Sequence, residues 1–361
     1  MCSALGLLTV SLHTPRQTLC GWGRESTRPP DRAESCAADR YNDRLVNSLL
    51  YLSRAQVEAL LDIDALLDAL ARALVSFSAG TTSVPPRIAA RVPDRGLLGA
   101  MVGYLPGAGL EAKLVSVFPQ NHQRGAPSHQ ALIALFDEAD GTPLALMDGT
   151  YITAIRTGGA AAVAARALAR EDASVLAILG AGTQGGSHLE TFPRVRDFAE
   201  IRVASRDTGK AAALAARHPR ARVAASFEAA VRGADVVACC TDAREPVLRR
   251  EWLKAGAHVS SVGGSFGPEL GADTLAEARV FVEWRGAATN PPPAGACELQ
   301  GVDVERVTEV GEVLSGTRPG RQSANELTVY KSTGHAVEDV AAARLVYDRA
   351  RAEGVGIQLP L

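Results

Sequence analysis

Apolar residues at Leu60, Leu61, Leu67, Leu70 and Leu74 recur at helical spacing, and Ser53 stands ahead of them as a helix N-cap. The fold proper therefore begins near YLSRAQVEALLDIDALLDALARALVSFSAG, whereas residues 1–45 show no sustained periodicity and read as a disordered extension. Short apolar segments follow, RIAARV, LLGAMVGYL, EAKLVSVFP, QALIALFDE and PLALMDGT, with turn-forming residues between them. They predict a mixed, largely antiparallel sheet, with DEADGTP as the hairpin joining the last two strands. After Thr150 the pattern changes. An alanine-rich helix, TAIRTGGAAAVAARALAR, leads into alternating strands and helices: SVLAILG, TQGGSHLETFPRV, EIRVAS, TGKAAALAARH, ARVAA, FEAAVRG and ADVVACCT, then the strands AHVSSVG and ARVFVEW. Such alternation specifies a parallel sheet with helices on both faces. PPPAGACELQ reads as a surface loop. ELTVYKSTG and the helix HAVEDVAAARLVYDRARAEG, read as amphipathic, close the chain and are expected to return to the first domain.

Composition narrows the function classes. A chain of 361 residues is long enough for two cores. No window holds the ~18–20 continuous apolar residues of a membrane span, and ALGLLTV lacks the basic flank of a secretory signal. A formal charge of −2 with interleaved signs offers no basic stripe, which argues against nucleic acid or a polybasic membrane contact. The six cysteines form no C-x-x-C pair or framework, which suits a reducing cytoplasm, and the seven scattered histidines support no metal site.

LAILGAGTQGG supplies the first chemistry. Gly180, Gly182 and Gly185 keep G-x-G-x-x-G spacing after an apolar strand and at the opening of a helix, with Thr183 and Gln184 between them. The first glycine allows a tight turn, the second lets backbone amides approach a pyrophosphate, and the third lets helix and strand pack closely. Dinucleotide binding on a Rossmann-type, doubly wound parallel sheet is expected. The second strand ends in Ser205, Arg206 and Asp207. Arg206 suits a 2′-phosphate, which favours NADP(H); Asp207 could instead cap the next helix or serve the ribose of NAD(H). No second nucleotide motif points to FAD.

Four further stretches, PPRIAAR, AKLVSVFPQN, GAPSHQALIALFD with GTPLALMDGTYITAIRTGGAAA, and VYKSTGHAVEDVAAARLVYD, flank the dinucleotide motif in an order that resembles the ornithine cyclodeaminase/mu-crystallin family, from about residue 49 to the end. The resemblance implies a homodimer and an α/β fold in which a discontinuous α+β substrate-binding and dimerisation domain, residues 46–150 and 322–361, accompanies a Rossmann domain over 151–321. It implies that Arg87, Lys113 and Arg156 gather around a substrate carboxylate. Ser128, His129, Thr157 and Ser332 would line the cofactor, and Thr241 and Val262 would lie beneath its nicotinamide side. The chemistry of these residue types agrees: guanidinium groups bind a carboxylate bidentately, and a partly buried lysine near two arginines has a lowered pKa and can move a proton as the catalytic group. Read alone, Arg156 and Thr157 would be surface and N-cap positions at a helix start, His129 a structural histidine, and Cys239 and Cys240 buried strand packing.

One departure bears on the reaction. The family's cyclodeaminases place an aspartate in the loop after V-G, and here VGGSFGPEL has Ser265 at about that position. Serine cannot act as a carboxylate base. The departure favours simple hydride transfer: NAD(P)H-dependent reduction of a ketimine or cyclic imino acid to an L-amino acid, or the related amino acid dehydrogenase reaction. The alternatives are ornithine cyclodeamination with Glu269 or Asp273 replacing the aspartate, imine formation between two amino acids, and a non-catalytic protein that binds NADP(H) and a small carboxylate.

Overall fold

A computed structural model describes residues 48–263 and 267–361. The expected extension over residues 1–45 and the loop position Ser265 lie outside the described residues.

The first half builds an antiparallel-rich layer. β1 (Ser48–Leu52) is followed by α1 (Arg54–Leu60) and α2 (Ile63–Ser78), then β2 (Ile88–Val92), β3 (Gly96–Leu105), β4 (Gly109–Val117), β5 (His129–Phe136) and β6 (Pro143–Asp148). Ser53 does precede α1, where Gln56 Oε1 accepts from its backbone N–H at 2.9 Å. Asp62 caps α2 by accepting from Ala65 N at 2.8 Å. Leu66, Leu67, Leu70 and Leu74 then turn one face of α2 into the core.

α3 (Gly149–Leu168), capped by Asp148, links the two halves. It is buried on nearly every side, so two glycines let neighbours approach. A Cβ on Gly158 would stand 2.8 Å from the Ser187 backbone, and one on Gly159 would stand 2.7 Å from Leu70 Cδ1. The second half runs β7 (Val175–Leu179), α4 (Thr183–Val195), β8 (Glu200–Ala204), α5 (Thr208–Ala215), β9 (Ala221–Val223), α6 (Phe227–Val231), β10 (Val236–Cys239), β11 (His258–Ser261), α7 (Ala272–Glu277), β12 (Arg279–Val282), α8 (Gly286–Thr289), β13 (Val307–Glu309), α9 (Val310–Leu314) and β14 (Thr328–Lys331). α10 (Ala336–Glu353) and β15 (Ile357–Pro360) complete the chain.

Among the described residues the strands form two sheets, in the orders β15-β1-β6-β5-β4-β3-β2 and β13-β12-β14-β11-β10-β7-β8-β9. The first is antiparallel except where β1 runs parallel to β6, and the second is parallel throughout. This is the α/β class read from the pattern. The expected division after residue 321 needs one correction: β14 belongs to the parallel sheet, between β11 and β12, and the chain crosses to the first sheet only with α10. Its fully buried residues, TVYK, explain the placement, because a central parallel strand must bury both faces. The helix closing the chain also departs from the amphipathic expectation, since Ala336 through Ala343 are all buried. In the PPPAGACELQ segment, Ala296 and Leu299 are buried rather than at the surface.

The first sheet has two unlike faces. Met101, Lys113, Ile133 and Met147 stand side by side in the strand register and are buried beneath helices. On the other face Leu98, Val102, Leu110, Leu114 and Leu132 are exposed, and Leu114 lies directly between Ala100 and Leu132. No helix among the described residues is long and apolar enough to cross a membrane, and none of their side chains cluster as a metal site.

Candidate active site

The glycine-rich turn is built as its spacing requires. Gly180 leaves β7 with φ +107°, a conformation side chains disfavour, and a Cβ there would meet Cys240 O at 2.5 Å and Thr241 Cγ2 at 3.2 Å. A Cβ on Gly185 would meet Gly180 O at 2.1 Å, so the helix packs against the turn as the motif demands. Gly182 is the N-cap of α4 and has nothing within 4 Å of its would-be Cβ; Thr183 beside it is exposed and Gln184 partly so. An open backbone at the amino end of a 13-residue helix is the cradle a pyrophosphate fits. At the end of β8, Asp207 Oδ1 accepts from Lys210 N at 3.0 Å and so caps α5, while Ser205 Oγ accepts from Asp207 N. Arg206 is exposed, with Asp242 at 3.4 Å as its partner.

The three expected cations come together around the segment Ser332 to Asp339, which carries the chain from the end of β14 into α10. Arg87 Nη2 donates to Thr333 O at 2.7 Å and to Gly334 O. Arg156 donates from Nε to Asp339 Oδ1 at 2.9 Å and from Nη1 to Glu338 Oε2 at 2.8 Å. Lys113 Nζ pairs with Asp339 Oδ2 and is 1% exposed. Arg156 and Thr157 lie inside α3 and are buried, so neither is the surface or N-cap position that a bare reading gives; Thr157 Oγ1 donates to Thr153 O at 2.8 Å. Burial pushes the Lys113 ammonium below the ordinary lysine range; Asp339 opposes that fall and Arg156 adds to it. Burial alone would raise Asp339, but Arg156 and Lys113 hold its carboxyl below the usual range. Burial raises Glu338 to about 8 against the pull of Arg156. Glu111, two residues before Lys113, is buried with both oxygens unpartnered among the described residues, and burial followed by Asp339 drives its pKa well above the usual range.

Beside this cluster a small pocket is lined by Pro86, Arg87, Met101, Trp284 and His335. His335 packs edge-on against Phe77 with centroids 4.3 Å apart, and burial holds it at about pKa 3, so its ring is neutral. Glu283 accepts from Thr333 N at 2.6 Å and from Ser332 Oγ at 3.4 Å. Ser128 and His129 stand at the start of β5, joined by an Oγ···Nδ1 contact of 3.1 Å. Thr241 and Val262 follow β10 and β11, adjacent strands. The two carboxylates weighed as replacements for a loop aspartate are both engaged. Glu269 is fully buried and accepts from Thr241 N and Oγ1 at 2.6 Å each, from Ser261 Oγ at 2.7 Å and from Gly263 N at 2.9 Å. Asp273 sits in the first turn of α7 and accepts from Thr274 N at 2.8 Å.

A model of the ornithine cyclodeaminase/mu-crystallin family matches residues 48–354, which is most of the chain. The chain belongs to this family. Ketimine reductase mu-crystallin of Mus musculus is 39% identical over 307 residues, covering 82% of this chain and 96% of that protein. The structure of Thermococcus litoralis Δ1-pyrroline-2-carboxylate reductase in complex with NADH and L-proline is similar at a TM-score of 0.82 and 32% identity, over 86% of this chain and 100% of that one. An archaeal alanine dehydrogenase dimer with bound NAD is similar at a TM-score of 0.79 and 33% identity, over 87% of this chain and 99% of that one.

Within this ornithine cyclodeaminase/mu-crystallin fold, the partners of the cations are what sequence reasoning missed. Glu338 and Asp339 read as ordinary acids in the first turn of a helix, where the dipole favours them. The signal was available in HAVEDVAAARL: acids set among Val and Ala on every side have no solvent face to occupy. Glu111, Glu283, Trp284 and His335 carried no comparable signal.

Proposed function

We propose that this protein is an NAD(P)H-dependent oxidoreductase that reduces the C=N bond of a ketimine or cyclic imino acid, such as pyrroline-2-carboxylate, to an L-amino acid. The open-chain amino acid dehydrogenase reaction is the same chemistry run on an acyclic substrate. The observation that carries the reading is the convergence of Arg87, Lys113 and Arg156 on the segment that leaves the parallel sheet. The Gly180–Gly185 turn would hold the pyrophosphate of a nicotinamide cofactor, which would supply the hydride. Arg156 Nη2 and Arg87 Nη1, which hold no bond to the described residues, face the substrate carboxylate and fix the adjacent imine carbon. Lys113, its ammonium weakened by burial, gives the imine nitrogen its proton as hydride arrives at carbon, so that C=N becomes CH–NH. Asp339 holds Lys113 and Arg156 in place for that step.

Two observations support finer points. Asp207 is taken up as a helix cap while Arg206 projects into solvent at the ribose end of the site, which favours NADP(H) over NAD(H). The exposed leucines of the first sheet form the surface through which a second copy docks as a homodimer. The free, unbridged Cys239, Cys240 and Cys297 fit a reducing cytoplasm. Ornithine cyclodeamination is disfavoured because Glu269 has each carboxylate lone pair taken by a donor and Asp273 is engaged at its helix.

The test is NADPH oxidation with pyrroline-2-carboxylate, run beside proline formation from ornithine with catalytic NAD. Imine-dependent oxidation without ammonia release from ornithine is expected. Proline formation from ornithine would sink the reductase reading.

A further inference from the structure

Beneath the ends of β10, β11 and β14 lies a closed ring of buried polar groups that hydride and proton transfer do not use. Glu269 takes the four donors described above. Ser261 Oγ donates to Glu269 and accepts from Lys331 Nζ at 2.9 Å. Lys331 Nζ also donates to Gly263 O at 2.7 Å and pairs with Glu298 Oε1 at 3.0 Å. Glu298 Oε1 then accepts from Glu269 N at 3.2 Å, which closes the ring. Glu269, Ser261 and Lys331 are all fully buried.

Burying two carboxylates against one ammonium is poor value for stability alone, because apolar residues of similar size would avoid the desolvation cost. The ring does what apolar packing cannot: directional bonds fix Thr241, Ser261 and Gly263, the residues at the exits of β10 and β11, to one another. Thr241 stands against the glycine-rich turn, within 3.2 Å of where a Gly180 Cβ would be. Gly263 is pressed so tightly that a Cβ would meet Thr241 O at 2.5 Å and the Glu269 carboxyl at 2.8 Å. The other half of the dinucleotide site, Ser205 to Asp207, shares no bond with the ring.

We propose that the ring of Glu269, Ser261, Lys331 and Glu298 positions the nicotinamide half of the cofactor, fixing the floor on which the hydride-donating ring lies. Glu269 is its central positioning residue, and the assignment rests on the dinucleotide reading of this site.

Glu269→Gln tests it. Whichever way the amide turns, its NH2 faces a backbone N–H, of Thr241 or of Gly263, that has lost its acceptor. Calorimetry with NADPH and with 2′-phospho-ADP-ribose separates the two halves of the cofactor. The NADPH Kd is expected to rise about tenfold while that of the fragment moves less than about twofold, and the deuterium isotope effect with 4-deuterated NADPH should grow as hydride transfer slows. Ser261→Ala, which removes the bridge but keeps both carboxylates, should show the same split more weakly and serves if Glu269→Gln does not fold. Parallel weakening of both ligands, or an unchanged NADPH Kd and isotope effect in folded variants, would overturn the proposal. Failure of the unaltered protein to bind either NADPH or NADH would instead refute the dinucleotide reading on which it rests.

Discussion

Lys113→Met and Asp339→Asn remove the two ends of one buried ion pair, yet the structure predicts unequal consequences. With Lys113 gone, Asp339 keeps the Arg156 Nε bond at 2.9 Å, and methionine fills most of the lysine volume. The stability change should stay within about 1–2 kcal/mol, because the carboxylate left behind is still paired with Arg156 rather than stranded. With Asp339 gone, the ammonium of Lys113, 1% exposed, faces an uncharged amide where its carboxylate partner stood. Leaving a buried charge uncompensated costs ~3–5 kcal/mol. Turnover should order the variants differently. Lys113→Met loses the proton donor and should fall by about 10²- to 10⁴-fold with cofactor affinity nearly intact. Urea unfolding midpoints, NADPH titration and pyrroline-2-carboxylate turnover measure the three quantities. Equal destabilisation by both variants, or Lys113→Met turnover within about tenfold of the unaltered protein, would refute this account of the cluster.

Arg206→Ala should weaken NADPH by about 10- to 100-fold and leave NADH nearly unchanged, since only the 2′-phosphate needs the guanidinium; equal effects in parallel titrations would reject the NADP(H) assignment. Leu114→Glu places a charge at the centre of the exposed sheet face and should give a monomer in sedimentation, whereas an unaltered dimer would move the interface elsewhere. His188, held at about pKa 4, and His258 and His335, at about 3, are kept neutral chiefly by burial, while in the unfolded chain each takes a proton below about pH 6.5. The unfolded state then binds more protons, so this stability is complete above about pH 6.5 and is lost as pH falls toward 3–4, by up to ~2 kcal/mol per histidine at pH 5. A urea midpoint that does not drop between pH 7 and pH 5 would show that these rings are not held neutral.

The fold was legible where burial writes itself into short windows. Fully apolar runs such as VLAIL and VVAC announce central parallel strands, and the glycine spacing after VLAIL announces the turn. β1 and β15 were missed because SLLYL and IQLP are short and acquire meaning only by distant pairing, β1 with β6 and β15 with β1 across about three hundred residues. The place of β14 is likewise non-local, as nothing in TVYK says which neighbours it will have. At the site, the three cations were legible through the family resemblance rather than through spacing. Their carboxylate partners come from other elements, and a sequence does not reveal which distant acid will be sealed against which base. Glu269 shows the converse: its nearness in sequence to the expected aspartate suggested a free base, while the structure commits every lone pair.

The position of β14 also bears on how the chain is made. β11 and β12 do not pair with each other; β14 joins them, so β12 and β13 attach to the rest of the parallel sheet only through residues 328–331. A growing chain therefore carries an open sheet edge until just over nine-tenths of these 361 residues have been synthesised, and closure of that sheet is a late, long-range event. The same four residues lead directly into Ser332 and the acids that hold Lys113 and Arg156. A chain interrupted before residue 328 would lose the closure of its cofactor sheet and the anchor of its substrate cations together, so a partly made product should be bare of both functions and prone to pair its exposed edge with other chains.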